Sequence, residues 1–487
     1  MPFTLADVWS AVGTGPCPWP EAGNWALDDV VVDSRLAHAG SLFVALPGER
    51  TDGHQFVGDA FRRGARAALV RQPVAEGALV LDVSQPAQGV PQAAPTADAR
   101  VCFVLPDPLA ALQRLAAHWR AKQPGCRVVG VTGSVGKTST KERVAAVLGQ
   151  RFATLKSPGN YNNEIGLPLT ILQLQPGVQW AVLEMAMYDV GEVARLAQIA
   201  RPEIGVVTNV GPVHLQRLGS VERIAQAKAE LVQALPPEGL AVLNGDDERV
   251  RAMAGLTQAR VLTYGLQPHN DLSAGGVRTR GLQGVELALH WHGQTVQVAL
   301  PLLGSHLVYG ALAAAAVGLH LGLSWDEVQA GLRDPAAQAR TQVRAGVRGV
   351  TILDDTYNAN PASTVAALDL LAEMPGRKVA VLGGMLELGS LEQEGHRQVG
   401  RRAAEVTALL VTVGKLGQII ADEARAAGMP ATAVLAVADT TAAVAVLQQA
   451  LVAGDFVLVK GSRGCAMENV VTPLLDPQAM PQPVGDK

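Results

Sequence analysis

The sequence predicts an α/β protein of three domains: a small N-terminal α/β unit (1–105), a central parallel sheet carrying a phosphate loop (106–335), and a C-terminal doubly wound, Rossmann-like sheet (336–487). Three observations carry that prediction. Short apolar runs rich in Val, Ile and Leu alternate with longer stretches of helical spacing, as in parallel sheets covered by helices. The alternation restarts near residue 336. A chain of 487 residues also exceeds what one ordinary core holds, so two or three domains are expected. With 48% hydrophobic but only 4% aromatic residues, the layers must be packed from small aliphatic side chains.

In the N-terminal unit, Asp33-Ser34-Arg35 precedes the apolar run 41–46, which reads as a strand closed by the Pro47-Gly48 turn. Thr51-Asp52-Gly53-His54 leads into a helix containing Phe56, Val57, Ala60 and Phe61, and Ala67-Ala68-Leu69-Val70 is the next strand. Residues 84–99, rich in Ala, Pro and Gln without periodicity, read as a surface loop.

The central unit is organised around Gly130-Val131-Thr132-Gly133-Ser134-Val135-Gly136-Lys137-Thr138-Ser139-Thr140. A buried strand precedes it and helical spacing follows from Lys141 to Leu148. Strand, glycine turn and helix N-terminus together make a phosphate cradle, because glycines admit close backbone approach and the helix dipole favours an anion. Lys137 would reach the β- and γ-phosphates and Thr138 would hold Mg2+. The usual first glycine is replaced by Val131, so the loop is a shortened form; a tight turn with a surface lysine is the bland alternative. Strands are expected at 128–131, 180–185, 204–210 and 240–244, the first three ending in polar residues: the loop, Glu184, and Thr208-Asn209. Ligands of parallel sheets collect at such carboxyl ends. The C-terminal strands are expected at 351–355, 378–383, 409–414 and 456–460, with a helix over 363–374.

Composition excludes several classes. A net charge of −4 argues against nucleic-acid binding. Cys17, Cys102, Cys126 and Cys465 form no C-x-x-C pair, which points to reduced thiols in a cytoplasmic protein and away from a zinc site. The first residues lack the basic and apolar regions of a secretory leader. Residues 307–323 come nearest to a membrane span, but they are mostly Ala and Gly and include His320, so a buried helix is expected and no membrane insertion.

Three residues beyond the loop carry chemistry. Glu184 ends an apolar strand beside the loop, where a carboxylate either caps a turn or joins Mg2+ with substrate phosphates. His214 follows the strand ending at Val210, at the same sheet edge. Lys228 lies on the apolar stripe Ile224, Leu231, Leu235 of a predicted helix over 221–235. A lysine there must snorkel, pair, shift its pKa or be covalently modified.

The stretch Thr132-Gly133-Ser134-Val135-Gly136-Lys137-Thr138 resembles the ATP loop of the Mur ligases, which add amino acids to the UDP-muramoyl precursor of peptidoglycan. Further segments are similar to the branch of that family that adds D-alanyl-D-alanine. They are Asn160-Tyr161-Asn162-Asn163-Glu164-Ile165-Gly166-Leu167-Pro168, the run Thr208–His214, Asp354-Asp355-Thr356-Tyr357-Asn358-Ala359-Asn360-Pro361, and Leu382-Gly383-Gly384-Met385-Leu386-Glu387-Leu388-Gly389. Asp33-Ser34-Arg35, Asp52-Gly53-His54 and Lys460-Gly461-Ser462-Arg463-Gly464 match as well, so the resemblance spans all three units in order.

That resemblance implies an ATP-dependent ligase. The carboxylate of UDP-N-acetylmuramoyl-tripeptide would attack the γ-phosphate, and the amine of D-alanyl-D-alanine would attack the resulting acyl phosphate. It implies that Lys137, Glu184, His214 and Lys228 are catalytic. One Mg2+ would be held by Thr138 and Glu184, and a second by His214 and a carbamate on Lys228. Thr132, Gly133, Ser134, Val135, Gly136, Thr138 and Ser139 would line the nucleotide phosphates. Asn163 faces the nucleotide in the relatives, and Asn162 and Glu164 the substrate. Arg340, Asp355, Tyr357 and Asn358 would close over ATP, the Asp on ribose and the Arg on phosphate. Ser34 and Arg35 would belong to the UDP-sugar site. A monomer is expected. His396 matches a family histidine without an evident role.

The chain departs from the family pattern at four places. Gly384 replaces an aspartate; Ala186, Tyr188 and Asp189 stand where a Gly and an Asn-His pair are common; and Gly310 replaces an asparagine. Rival readings are a related amide ligase such as folylpolyglutamate synthetase or the enzyme adding the third residue, an ATP-driven P-loop protein without ligase chemistry, and a non-enzymatic scaffold. The missing Asp-Asn-Pro-Arg-type motif weighs against the third-residue enzyme. Tyr357-Asn358-Ala359-Asn360-Pro361 weighs against both amide ligases. Lys137, Thr138, Glu184, His214 and Lys228 together weigh against the other two.

Overall fold

The computed structural model describes residues 3–13, 17, 24–48, 51–73, 77–83, 99–213, 215–337 and 341–476, and its three strand–helix alternations form three main sheets. The N-terminal sheet is five-stranded and parallel, in the order Asp29–Val31, Ser41–Val44, Ala67–Val70, Val101–Val104, Leu79–Asp82. The helix expected around Phe56 is a 3-10 turn, Gly53–Phe56, running into Val57–Arg62. Of the expected surface loop, residues 84–98 lie outside the described residues.

The nine-stranded central sheet places Arg127–Thr132 between Ile204–Val207 and Trp180–Glu184, all parallel. Leu240–Asn244 and Arg260–Gly265 continue it on one side and Thr154–Lys156 on the other. The strands are covered on both faces, which is why they read as unbroken apolar runs. Beyond Arg260–Gly265 the sheet continues through Leu272–Thr279 into an antiparallel meander with Val285–Trp291 and Gln294–Leu300, which the sequence reading did not anticipate. Its signal is different: Val285, Leu287 and Leu289 are buried while Glu286, Ala288 and His290 face outward, the period of two of a half-covered strand. The expected buried helix is Val308–His320, whose residues 311–318 are all buried against the helix Lys137–Leu148.

The C-terminal sheet runs Gln342–Ala345, Thr351–Asp355, Phe456–Lys460, Lys378–Leu382, Leu409–Val413, Val434–Val437. Only the first is antiparallel. Its last strand in sequence lies between the two strands that the helix Pro361–Ala372 connects, so a crevice opens at their carboxyl ends.

One helix joins the first two sheets. Asp107 caps Pro108–Ala121 by accepting from Ala110 N at 3.0 Å, and Pro108 fixes its first turn. Leu112, Leu115, Ala116 and Trp119 belong to one apolar cluster that also holds Leu42 and Phe103 of the N-terminal sheet and Leu167 and Leu196 of the central helices. Trp119 Nε1 donates to Leu174 O at 3.0 Å and Arg120 Nε to Ala200 O at 2.9 Å. The core therefore runs straight across residue 105. The C-terminal sheet has separate apolar layers on its two faces, and among partly buried central residues Leu303 packs against one of them.

Leu115→Ala should cost about 2–5 kcal/mol. Urea unfolding followed by tryptophan fluorescence should show the N-terminal and central units lost in one transition; separate transitions would contradict a shared core. Buried Asp7 adds a pH signature. Desolvation raises its pKa, but hydrogen bonds from Lys122 and Thr4 outweigh that and hold it below its ordinary 3.8. Its contribution is present above pH 3.8 and fades as pH falls through the lower folded value, and Asp7→Asn should remove this part of the acid sensitivity in pH-dependent melts.

Candidate active site

The turn of the phosphate loop is held from behind by the polar ends of neighbouring strands. Gly133 (φ +145°) and Gly136 (φ +85°) make the turn, and any Cβ on Gly133 would fall 1.8 Å from Thr208 Oγ1. Asn209 Oδ1 accepts from Val135 N at 2.9 Å and its Nδ2 donates to Val135 O at 2.9 Å. Thr208 Oγ1 donates to the same carbonyl at 2.7 Å. Ser134 N donates to Asn209 O at 2.9 Å, while Ser134 Oγ donates to Gly211 O at 3.0 Å and accepts from Gly211 N at 2.8 Å. Lys137 folds back over the loop, Nζ donating to Gly133 O at 2.8 Å.

Glu184 stands beside the loop because its strand pairs in register with Arg127–Thr132, Glu184 opposite Val131. It is 1% exposed. Thr138 Oγ1 donates to its Oε2 and Asn162 Nδ2 to its Oε1, both at 2.8 Å, and its own N–H donates to Ser157 Oγ at 3.2 Å. Thr132 Oγ1 ties in the next residue through Met185 O at 2.8 Å.

Lys228 lies on the inner face of Val221–Gln233, which caps on Ser220 and packs so close to the sheet that a Cβ on Gly130 would fall 2.8 Å from Leu231 Cδ1. The lysine is 2% exposed and makes no hydrogen bond among the described residues. Burial first, and the charge of Lys137 second, hold its pKa well below the ordinary lysine range.

The remaining expected residues fall into four groups. Asn163 Oδ1 accepts from Gly166 N at 2.9 Å, at the start of Gly166–Ile171, and Glu164 O accepts from Gln113 Nε2 at 3.1 Å. Asp355 pairs with buried Lys460 at 2.5 Å, and that ammonium also donates to Asn358 O at 2.9 Å. Tyr357 lies under Arg463, 5.9 Å from ring centre to guanidinium. In the N-terminal sheet Ser34 Oγ donates to Asp59 at 2.9 Å and Arg35 pairs with Asp33 at 2.6 Å, apart from the phosphate loop in the chain's layout. His214 and Arg340 lie outside the described residues.

The sequence reading passed over Asn244, Asp247, Lys141 and Lys460. Asn244 Nδ2 donates to Thr208 O at 2.8 Å and Asp247 Oδ2 accepts from Val210 N at 2.8 Å. Their signal was present: Asn244-Gly245-Asp246-Asp247 is a fourth polar strand end beside the other three. His396, without a role above, is fully buried; Nε2 accepts from Met385 N at 2.9 Å and Nδ1 lies 2.6 Å from Glu392 O, so it is a neutral strut under the loop 383–388.

Among the described residues no three His, Cys, Asp or Glu side chains cluster as a metal site. Glu184 and Thr138 nevertheless offer two adjacent oxygen donors beside the loop, the partial set Mg2+ takes when phosphates complete its shell. The arrangement defines a phosphate-loop α/β protein that carries a second, nucleotide-type sheet.

Three family models match in order: the Mur ligase family catalytic domain over 28–120, the Mur ligase middle domain over 131–318, and the Mur ligase glutamate ligase domain over 339–463. A Mycobacterium tuberculosis protein named UDP-N-acetylmuramoyl-tripeptide--D-alanyl-D-alanine ligase is 41% identical, covering 97% of this chain and 98% of its own length. The Escherichia coli protein of that name is 37% identical over 93% and 95%. MurF from Acinetobacter baumannii superposes with a TM-score of 0.82 at 29% identity, covering 97% of this chain and 99% of that one. MurF from Thermotoga maritima in complex with ADP gives 0.75 at 29%, covering 91% and 96%. The chain belongs to the Mur ligase family.

Asn209→Ala would leave the Val135 N–H without its side-chain partner, while its carbonyl keeps Thr208, and an unpaired part-buried group costs about 1–3 kcal/mol. Affinity for a nucleoside diphosphate should fall about tenfold by calorimetric titration. An unchanged affinity would show the clamp to be dispensable.

Proposed function

We propose that this chain is an ATP-dependent amide ligase that joins D-alanyl-D-alanine to UDP-N-acetylmuramoyl-tripeptide, releasing ADP and phosphate. The observation that carries this reading is the meeting, at one sheet edge, of a preformed phosphate loop, a buried carboxylate bonded to the loop's own Thr138, and a buried lysine that has no counter-ion among the described residues. Relatives of near full-length similarity bear the name of this activity. No helix among the described residues is long and apolar enough to cross a membrane, and the four cysteines are free, which suits work in the cytoplasm. We also read the chain as a monomer.

The reaction joins anions twice. The tripeptide carboxylate must approach the γ-phosphate, forming an acyl–oxygen–phosphorus bond as the bond to ADP breaks; the dipeptide amine then forms the amide as phosphate and a proton leave. Lys137, held across the loop mouth by Gly133 O, is placed to turn from that carbonyl onto the β/γ-phosphates and lower this repulsion. The N–H groups at the start of the helix Lys137–Leu148 would orient the triphosphate, while Asn209 and Thr208 hold the preceding turn at Ser134 and Val135. Glu184 and Thr138 would hold one Mg2+, and His214 with a Lys228 carbamate a second; when bound, such ions neutralise phosphate charge. Asn162 fixes one oxygen of Glu184 so that the other faces Thr138. Ser34 and Arg35 would hold the UDP-sugar end, and Asp355, Tyr357, Asn358 and Arg340 the nucleotide from the third sheet.

Lys228 gives this reading its most specific chemistry. Burial that depresses the pKa of this amine favours its free form, which is the form that adds to carbon dioxide. The carbamate is an anion, so a lysine with no counter-ion among the described residues would become a metal ligand.

Phosphate release from ATP should require both UDP-muramoyl-tripeptide and D-alanyl-D-alanine. Release that ignores both would sink the ligase reading. Lys228→Ala should lose at least about a hundredfold in kcat, the scale of losing one positioned electrostatic group, and short added carboxylates should restore part of it. A carbon-13 carbamate signal from labelled bicarbonate, absent in the variant, checks the modification directly.

A further inference from the structure

Lys141 lies one turn beyond Lys137 on the helix Lys137–Leu148 and is fully buried, a place lysine rarely takes. Its three N–H donors meet three acceptors: Ser157 O at 2.7 Å, Gly159 O at 3.2 Å and Glu142 Oε1 at 2.9 Å. Desolvating an ammonium is costly, and converging acceptors of this kind offset the cost. Glu142 takes Lys156 on its other oxygen. Burial raises the pKa of this carboxyl, but the hydrogen bonds from Lys141 and Lys156 outweigh it and hold the group below its ordinary range. With all its donors used, Lys141 has nothing to offer a phosphate.

What it holds is the turn that leads to Asn162. Ser157 is anchored in the sheet by its own N–H, which donates to Val182 O at 3.1 Å. Residues 158–161 are exposed, and apart from Lys141 their hydrogen bonds among the described residues are local: Tyr161 N to Pro158 O at 3.0 Å and Asn162 N to Asn160 O at 2.8 Å. Asn162 then grips the strand end, Nδ2 donating to Glu184 Oε1 at 2.8 Å and its carbonyl accepting from Ala186 N at 2.8 Å. Thr138, three residues before Lys141 and so on the same helix face, donates to the other oxygen of Glu184. The contacts close a ring: from Lys141 to Gly159, along the chain to Asn162, across to Glu184, and back to the helix through Thr138.

We propose that Lys141 is a positioning residue for the metal carboxylate: by pinning the turn 157–160 to the phosphate-loop helix, it sets Asn162 and through it the aim of Glu184. The proposal rests on the reading of Glu184 and Thr138 as Mg2+ ligands. Mg2+ demands near-octahedral placement of its oxygens, so a carboxylate free to swing binds it less well. Asn162 is the side chain that orients Glu184 from outside the phosphate-loop helix, and the exposed turn before it would drift without the buried ammonium. Partners that orient a metal ligand commonly change metal affinity about ten- to a hundredfold when lost.

The test is calorimetric titration of the full chain with ADP, once with excess Mg2+ and once with the metal chelated. The ratio of the two affinities is the part of binding that depends on the ion. Lys141→Met should lower that ratio about tenfold and leave the affinity without Mg2+ unchanged. Asn162→Ala should lower it similarly, and the double variant should fall no further than the larger single loss, since the lysine acts through the asparagine. Equal losses with and without Mg2+ would make Lys141 a support of the phosphate loop, an unchanged ratio would make it structural only, and additive losses would separate it from Asn162; each overturns the proposal. If the methionine variant does not fold, Lys141→Gln carries the test. It keeps a neutral donor in the slot and leaves Glu142 its bond to Lys156, so the ratio should again fall, and a wild-type ratio would overturn the proposal. A wild-type chain that binds ADP equally well with and without Mg2+ would refute the metal reading of Glu184, and one that binds ADP in neither condition would refute the ATP reading itself.

Discussion

The structure depends on one constraint: a loop that must offer bare N–H groups to an anion has to be held by everything except those groups. The chain solves this by lending the polar ends of neighbouring strands. Asn244 bonds Thr208, Thr208 and Asn209 bond Val135, and Ser134 and Gly211 bond each other in both directions. On the other side Thr138 and Asn162 share the two oxygens of Glu184. None of these side chains could reach its partner from a non-adjacent strand. The sheet order that places Arg127–Thr132 between Ile204–Val207 and Trp180–Glu184 is therefore a requirement of the site.

The same economy governs the buried cations. Lysine and arginine rarely enter a dry interior, yet this helix-and-loop region buries Lys141, Arg143 and Lys228 close to the partly exposed Lys137. Lys137 and Lys141 have carbonyls to donate to. Lys228 lacks any such acceptor among the described residues and has its pKa depressed, while Arg143 cannot shed its charge at neutral pH and holds one acceptor. Gly130 contributes indirectly, because only a residue without Cβ lets the Val221–Gln233 helix approach the strand closely enough to set Lys228 beside Lys137.

How much of this was legible in the sequence follows from what each signal encodes. The buried parallel strands were read nearly to the residue, since double-sided burial leaves unbroken Val and Leu runs. The antiparallel meander over 272–300 was not, because its period-two pattern is interrupted by glycines and polar residues. Glu184 and Lys228 stood out as polar residues at apolar positions. Asn244 and Asp247 did not, because a polar residue just past a strand also describes any ordinary turn. At Asn163 the side-chain oxygen accepts from Gly166 N, a local bond that the motif by itself does not reveal.

The three sheets are not joined alike, and that asymmetry bears on how the site can work. Helix Pro108–Ala121 fuses the N-terminal and central sheets into one apolar core, sealed by Trp119, Arg120 and the buried Asp7. Moving them apart would expose that core, at roughly 25 cal/mol for every Å2 uncovered. The C-terminal sheet keeps its layers to itself and meets the rest along rims, such as the turn at Gly389 against Gln216. Opening along those rims uncovers little apolar surface. Relative motion within the chain therefore costs least between the third sheet and the rest. The phosphate loop and the Ser34–Arg35 region keep a fixed spacing.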